Sequence, residues 1–520
     1  MKNKIYILKI ALITSAIFLL NQNVFAQGNI LELLPGVDKF EYNESTGIHR
    51  IFGDGGVNFI YQGNTMYCDS AHYWNASQEI RAYGNVHILK DGLNLYSDSL
   101  YYNGNTRKAK LWSNVRVRDQ EYKIITDTLE YDTKKSVGIY RNGGRVESIL
   151  KKEVLTSKVG YMYTGTKNMF FSGRVVYKSP ELDMTTDSLR YNYAKKTTYF
   201  SGPTNITSKS KVSNEITKIY CENGWYNTVN EEASLKKKAS IIKGSTVMKG
   251  NDLYSNKGVV IGKGNVFYKD TTQNIEFRGE YAYSSDVKRE SYLTGNALLL
   301  KIDKKDTLFV HADTLFSYKD SLGNFERMKG HNNVKFFRNE IQAKCDSIVY
   351  DKISGKMELF KEPILWVKGK TELKGDFMEI LFKSDSIMDK VNIFGNSTVL
   401  MEIDSGKYYN QIGGKDIIAH FFNNDIYRTD VNGNARTLFF PEETKANDSI
   451  VVVKRLGMNR IYASDLRLDI DSNEIEGISY IDKPDGVFYP MDQIKKEEQF
   501  IKGFKWLMAI RPKSWKEILP

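Results

Sequence analysis

The sequence predicts an all-β protein, an elongated β-jellyroll or stacked-sheet repeat built from units of about 30 residues, with a short C-terminal helix and tail. Three observations lead to this prediction: a composition rich in strand formers, two short motifs that recur in one register, and alternation of apolar and polar residues. The 520 residues include 33 Tyr and 26 Phe but only 9 Pro, as expected for strands rather than a disordered chain. Because one core rarely exceeds about 250–300 residues, this length favours several domains or a repeat array.

The first motif is a Gly-Asn pair, or a related pair, followed by an apolar residue, a gap of one residue and a second apolar residue. In the clearest copy, Val86 and Ile88 are two positions apart, which places both on one face of a strand. The Gly-Asn pairs, like Asp91-Gly92 and residues 103–105, are expected in turns between strands, where positive φ is needed. Strong copies lie at residues 84–88, 114–117, 173–177 and 264–268, and weaker ones at 295–297, 333–336 and 433–435.

The second motif is a small residue, then Asp, then Ser or Thr, then an apolar residue. Asp69, Asp98 and Asp127 follow one another at intervals of 29 residues, and the next clear copy, at Asp187, lies 60 residues on, past one degenerate unit. An Asp that recurs in this way is expected to hydrogen-bond a turn backbone rather than to bind metal or catalyse. Copies lie at residues 68–71, 97–102, 126–131, 186–191, 312–315, 345–348 and 464–466.

Each repeat unit has one apolar face, which it can bury only against neighbouring units. About a dozen units fit between residues 50 and 480, and stacking them into facing sheets would bury that face continuously. With strands about 4.8 Å apart, the stack would measure roughly 60–120 Å. The sequence therefore predicts one long apolar interior.

The three cysteines occupy the small-residue position of the second motif. Cys68, Cys221 and Cys345 are an odd number and lie many units apart, which argues against a disulfide framework. We expect each to be one small side chain among several that fit a tight site. Other copies place Ser97, Thr126, Thr186, Ala312 or Ser464 there.

The two ends of the chain differ from the repeats. Three lysines precede an apolar stretch at residues 10–20, and Val24-Phe25-Ala26 offers a cleavage site, as in a secretory signal peptide. At the other end, Phe500, Phe504 and nearby charged residues predict an amphipathic helix and a basic tail, which would cap the sheet edge or dock a partner. The predicted divisions are a signal peptide at 1–26, a leading and capping segment at 27–49, repeats at 50–394, degenerate repeats at 395–490 and the tail at 491–520.

No pattern for chemistry stands out in the sequence. The six histidines are scattered, without metal-ligand spacing or a Ser-His-Asp grouping, and no Gly-rich phosphate loop occurs. The sequence therefore predicts a protein that is not an enzyme and has no cofactor, no metal and no catalytic residue. The formal charge of +11 suits an anionic partner without identifying it, and no nucleic-acid partner is expected.

Two regions of the sequence resemble a known family. Residues 66–73 and 82–86, and the closing runs at 456–460, 483–486 and 503–506, resemble the OstA-like branch of the LptA family, in its long Bacteroidetes form. The resemblance implies a β-jellyroll, open along one side, whose interior carries the lipid A acyl chains of lipopolysaccharide. It also implies a periplasmic location, an association with the outer membrane, and a role as a bridge between the inner-membrane and outer-membrane components of lipopolysaccharide transport.

The candidate lipid-binding residues are the apolar members of the repeats, which otherwise would only form core. Sheet edges at both ends predict head-to-tail self-association. The alternative function is a parallel β-helix protein that binds or cleaves extracellular polysaccharide, although the even spread of acidic residues disfavours it. The candidate lining is Val86, Ile88, Leu100, Tyr102, Val115, Val117, Leu129, Tyr131, Val175, Tyr177, Leu189, Tyr191, Val266, Tyr268, Val334 and Phe336.

Overall fold

The chain forms two compact units, Met1–Thr166 and Lys167–Pro520, in a computed structural model. The expected signal peptide and Asp91 lie outside the described residues. The segment boundaries expected after residues 49, 394 and 490 stay predictions. The structure describes residues 30–90, 92–209, 215–302, 306–384, 387–423, 425–447, 450–471 and 474–520.

The first unit consists of strands. They are β1 (Leu31–Leu33), β2 (Lys39–Asn43), β3 (Ile48–Tyr61), β4 (Asn64–Trp74), β5 (Glu79–Lys90), β6 (Leu93–Asn103), β7 (Lys108–Arg118), β8 (Tyr122–Asp132), β9 (Val137–Tyr140), β10 (Gly144–Ser148), β11 (Val154–Ser157) and β12 (Val159–Tyr163).

The second unit continues the pattern with longer strands. They are β13 (Asn168–Lys178), β14 (Leu182–Asn192), β15 (Thr197–Lys209), β16 (Ile216–Asn227), β17 (Glu232–Lys243), β18 (Thr246–Asn256), β19 (Val259–Asp270), β20 (Ile275–Ser285), β21 (Glu290–Ile302), β22 (Thr307–Lys319), β23 (Phe325–Arg338), β24 (Ile341–Asp351), β25 (Lys356–Phe360), β26 (Ile364–Val367), β27 (Thr371–Lys374), β28 (Phe377–Ser384), β29 (Ile387–Ile403), β30 (Tyr408–Phe422), β31 (Asp425–Phe439), β32 (Glu442–Asn447), β33 (Ile450–Arg455), β34 (Gly457–Asp471), β35 (Glu474–Ile481) and β36 (Asp485–Pro490).

Successive strands pair antiparallel within each unit. This holds from β3 to β8 and from β13 to β24. The predicted all-β class is confirmed, and one repeat unit corresponds to two strands. The alternative of a parallel β-helix is wrong, because turns of only a few residues join these strands and a parallel pair needs a long crossover.

The Gly-Asn motif lies in the middle of a strand. Gly84 and Asn85 have φ of 70° and 44° but lie inside β5 (Glu79–Lys90). There the pairing with β6 passes from Tyr83–Ser99 to Val86–Ser97, so two residues of one strand oppose one residue of its partner. The prediction of positive φ is confirmed, but the prediction that these pairs join strands is wrong, since a β-bulge demands the same conformation as a turn.

The same corner recurs on alternate strands of both units. Most of these corners have two consecutive residues with positive φ, even where neither is Gly, and the pairing shifts register there; in β15 the corner is Gly202-Pro203, and only Gly202 has positive φ. The corner pairs include Ser113-Asn114, Gly173-Arg174, Lys237-Lys238, Gly264-Asn265, Gly295-Asn296 and Asn332-Asn333.

The Asp of the second motif braces the corner on the next strand. The Asn85 side-chain amide donates to both carboxylate oxygens of Asp69 at 3.1 Å, and the Asn114 amide donates to Asp98 at 2.6 Å. A Cβ on Gly84 would collide with the Asp69 carboxylate. The recurring Asp therefore has a structural role, as predicted, but its partner at these two corners is the Asn side chain and not the backbone of a turn.

The corners fold the sheet back on itself. In the first unit, β3 and β4 pair so that Tyr61 lies opposite Asn64. A flat sheet would hold Tyr61 about 30 Å from Tyr73, at the far end of β4, yet their ring centroids are 5.9 Å apart. The two halves of these strands thus face each other across a common interior.

The second unit shows the same fold at a single strand. Gly262 and Val266 lie on either side of the corner in β19, yet a Cβ on Gly262 would lie 3.1 Å from the Val266 Cγ2 atom. Both halves of the strand therefore direct side chains to one interior, and the result is a jellyroll-like pair of facing layers.

The predicted C-terminal helix is wrong. The tail contains short 3-10 turns, at Met491–Gln493, Lys496–Glu498, Met508–Ile510 and Trp515–Ile518. Gly503, with φ of 88°, and Pro512 interrupt any continuous helix.

The tail packs across the outer face of the sheet. The Gln411 side chain bonds the backbone at Gln499 and Ile501, and Trp515 stacks on Phe309 at 5.2 Å. The expectation that the tail caps a sheet edge is therefore wrong. The outer face is the better packing surface because it carries apolar side chains such as Leu298, on which Ile518 of the tail packs.

Substitution of the corner glycine tests the bracing. Gly84→Ala should lower the free energy of unfolding by about 3 kcal/mol, through positive φ and contact with Asp69. Gly92→Ala is the matched control, because Gly92 also has positive φ (79°) but has nothing within 4 Å of an added Cβ, and it should cost about 1 kcal/mol. Equal losses in urea unfolding would contradict the bracing.

Candidate functional site

The inward side chains of the second unit form a continuous apolar row, which we call the mouth row. Each member pairs directly with the next across neighbouring strands, one residue per strand from β13 to β23. No polar residue interrupts it. The members are Tyr177, Met184, Ile206, Ile219, Ile241, Met248, Tyr268, Phe277, Leu299, Val310 and Phe336.

The mouth row is partly open to solvent between β13 and β20. Ile219, Ile241 and Tyr268 are half-buried, whereas residues next to the corners, such as Val175 and Leu253, are only 1% and 2% exposed. Exposure thus rises from the corner toward the strand ends. We call this partly exposed inner face of β13 to β20 the trough.

The equivalent interior of the first unit is closed at the strand ends. The Tyr61 hydroxyl bonds Gln78 at 2.7 Å, and the Tyr102 hydroxyl bonds Gln62 at 2.7 Å. Gln62 in turn donates to the Gly104 carbonyl at 3.3 Å. These bonds join the turns at opposite ends of the strands, so the interior between them is a packed core.

All the candidate lining residues lie on the inner face of their own unit. The eight in the first unit are buried, from Leu100 at 0% to Tyr131 at 8% exposed. In the second unit, Tyr177, Tyr191 and Tyr268 are partly exposed, and the other five are buried. A lipid-lining role stays a prediction, and the exposure favours the three tyrosines.

Sequence reasoning missed several mouth-row residues. Ile219 and Met184 lie two positions before the small residue of the second motif or its equivalent, and Ile241 lies on a strand without either motif. A search for an apolar residue two positions before each small residue would have found the first two, because inward side chains repeat every second residue.

Lysines flank the trough at both ends of its strands. Lys178, Lys209 and Lys218 lie at one end and are exposed, and Lys167 and Lys195 lie at the other and are also exposed. Ammonium groups placed around an apolar surface suit an amphiphile with an anionic head.

The cysteines lie where the register predicted. Cys221 pairs with Thr204 and Cys345 with Val334, as Ser97 pairs with Val86 in another copy. The three cysteines are buried free thiols. Burial raises the pKa of Cys68 and Cys345 to about 12 and that of Cys221 to about 11. The prediction of a small side chain at a tight site is confirmed.

Within the described ranges, no helix is long and apolar enough to cross a membrane. The same residues contain no group of three or more His, Cys, Asp or Glu side chains arranged to hold a metal ion.

Fold and site together define a folded antiparallel β-repeat protein with an apolar inner face. The OstA-like protein family matches residues 32–187, so this part of the chain is similar to OstA-like proteins and supports the family assignment that the resemblance predicted. The resemblance of the C-terminal runs lies beyond the matched residues and stays a prediction.

Comparison with solved structures gave weak likenesses. LptH of Pseudomonas aeruginosa, the LptA-homologous periplasmic component of its lipopolysaccharide transport device, is 13% identical, with a TM-score of 0.21, over 22% of this chain and 84% of its own. The WD40 domain of SCAP from fission yeast is 9% identical, with a TM-score of 0.10, over 78% of this chain and 92% of its own. Such scores carry no argument about function. No curated protein matched.

Thiol reactivity tests the packing at the corners. Because the thiolate is the reactive form, a pKa of about 12 leaves on the order of a thousandfold less thiolate than an unperturbed thiol at pH 8. Folded protein treated with iodoacetamide should therefore stay unmodified at Cys68 and Cys345, while urea-unfolded protein reacts at both. Rapid modification of either residue in folded protein, measured by mass spectrometry, would contradict the buried site.

Proposed function

We propose that this protein binds lipopolysaccharide in the periplasm and holds its lipid A acyl chains against the mouth row of the trough. The observation that carries the proposal is the unbroken apolar row of β13 to β23, partly exposed from β13 to β20. The OstA-like match supports it, because the resemblance implies lipopolysaccharide transport.

The energetics favour an acyl chain as the occupant. Removing one methylene from water contributes about 0.8 kcal/mol, so a chain lying across several strands gains enough to offset its loss of freedom. Ile219, Ile241 and Met248 present such a surface at one residue per strand, and the flanking lysines can pair with phosphate groups. A hydrophilic polysaccharide would gain little from this inner face.

The two units are proposed to differ in their role. In the first unit, the bonds of Tyr61 and Tyr102 to glutamines close the interior, so Val117 and Leu129 serve as core. In the second unit, Tyr177, Tyr191 and Tyr268 are the predicted residues best placed to touch lipid.

Partners are proposed to add strands at the terminal edges. Among the described residues, β2 pairs with β3 alone and β36 with β34 alone. Phe40 and Tyr42 on the first edge are 48% and 59% exposed, and Phe488 on the last is 50% exposed. Such edges suit head-to-tail self-association or pairing with the inner-membrane and outer-membrane transport components.

Site-specific photocrosslinking tests the proposal with a matched pair. Ile241 faces the trough, and its neighbour Ile242 faces outward and is 42% exposed. With p-benzoylphenylalanine in place of Ile241, lipopolysaccharide added to the full chain should crosslink strongly. The same group in place of Ile242 should give little product, although that position is the more exposed.

A second pair, Tyr268 on the inner face and Phe267 on the outer face, serves as an independent repeat. Lipid crosslinks of equal strength from both members of each pair, or from neither, would reject the trough as the lipid site. Crosslinks to soluble glycan alone would indicate a polysaccharide-binding protein instead.

A further inference from the structure

A cleft of about 380 Å³ opens at one end of the strands of the second unit, beside the turns that join β20 to β21 and β22 to β23. Four cationic side chains dominate its walls, and one tyrosine, one carboxylate and Val287 complete them. None of these residues belongs to the mouth row. The charged and aromatic residues of the lining are Lys288, Arg289, Tyr318, Lys319, Glu326 and Arg327.

The cations of the cleft are only loosely paired. Lys288 lies 3.7 Å from Glu290, Lys319 lies 3.6 Å from Asp286, and Arg327 lies 3.6 Å from Asp351. These nitrogen–oxygen separations exceed a direct hydrogen bond, and exposed pairs of this kind contribute little to stability. The N–H groups can therefore turn toward an incoming anion at small cost.

Aromatic rings line the outer face of the sheet beside the cleft. Tyr292 lies between Tyr283, with ring centroids 5.2 Å apart, and Phe316, at 5.9 Å. All three rings are partly exposed. The Lys288 ammonium lies 6.0 Å from the Tyr283 ring, and Tyr318 follows Phe316 on the same face, so rings and cleft form one continuous surface.

We propose that this surface binds a phosphorylated saccharide, with the phosphate in the cationic cleft and the sugar ring stacked on Tyr283 and Tyr292. Phosphate oxygens accept charge-assisted hydrogen bonds from Lys288 and Arg327. Glu326 repels a bare phosphate but can accept hydrogen bonds from sugar hydroxyls. Flat aromatic faces beside such acceptors favour a sugar over an inorganic anion.

The inference deepens the proposed function and rests on it for the source of the saccharide. A lipid whose acyl chains occupy the trough carries its phosphorylated sugar head at the ends of these strands. The cleft would then hold the head of the bound lipid, and a free sugar phosphate with the same chemistry is the other source.

Binding of small probes to the full chain tests the site. Glucosamine 6-phosphate, glucosamine and inorganic phosphate are titrated by calorimetry. Glucosamine 6-phosphate should bind at least about tenfold more tightly than either of the other two, since only it engages both the cations and the rings. Equal affinities for glucosamine 6-phosphate and phosphate would reject the saccharide part of the proposal.

Variants locate the binding. Lys288→Gln with Arg327→Gln should weaken glucosamine 6-phosphate binding about tenfold or more, and Tyr292→Leu should weaken it while leaving phosphate binding unchanged. Lys257→Gln, an exposed lysine at the same ends of the strands, is the control and should have no effect. Unchanged affinity in the double variant, with an unaltered melting temperature, would overturn the proposal.

The lipid crosslink from position 241 separates this inference from the proposed function. Suppose that the crosslink forms but the double variant binds both glucosamine 6-phosphate and lipopolysaccharide as tightly as the unmodified protein. In that case the cleft proposal is rejected and the trough proposal stands. If glucosamine 6-phosphate binds at the cleft but no lipid crosslink forms, the trough proposal fails, and the free sugar phosphate is the ligand.

Discussion

The left-handed corner in the middle of alternate strands is the constraint on which the rest of the structure depends. A straight strand would send its inward side chains to one flat face, which water would cover. Two residues with positive φ, braced by an acid such as Asp69 on the neighbouring strand, fold the strand so that both halves share one interior. The repeated corners therefore create the inner face, and any ligand site there follows from them.

The inward side chains near the strand ends differ in exposure between the two units. In the first unit, Tyr102 and Tyr131 fill this position and are nearly buried. In the second unit, the equivalent positions carry Tyr191 on β14 and Tyr226 on β16 and the smaller Ser255 on β18 and Ser284 on β20, and all four are partly exposed. One backbone design thus gives a packed core in one unit and a trough in the other, and smaller side chains contribute to the difference at β18 and β20.

Period-two patterns made the strands, the repeat and the inward faces predictable from sequence. Val86 with Ile88, and the small residue at Cys68, mark the inner face because alternation leaves no other face for them. The place of the corner was not predictable in the same way. Gly84-Asn85 carries the signature of positive φ, and a turn and a bulge share that signature, so only the pairing partners distinguish them.

Contacts between distant parts of the chain determine the conformation of the tail, which the local sequence did not predict. The tail has the aromatic and charged residues of an amphipathic helix, but buried residues of the outer face fix its position. Gln342 bonds Arg511, and Glu372 bonds the backbone of Leu507. These partners lie more than a hundred residues away along the chain. Likewise, the closing bonds of Gln62 depend on turns brought together only by the folded sheet.

The most direct test of the central claim is an experimental structure of the full chain with lipopolysaccharide bound. We expect density for acyl chains between the two layers of the second unit, in contact with Ile219, Ile241 and Tyr268. Acyl density confined to the outer face, or an inner face filled only by the protein's own side chains, would contradict it.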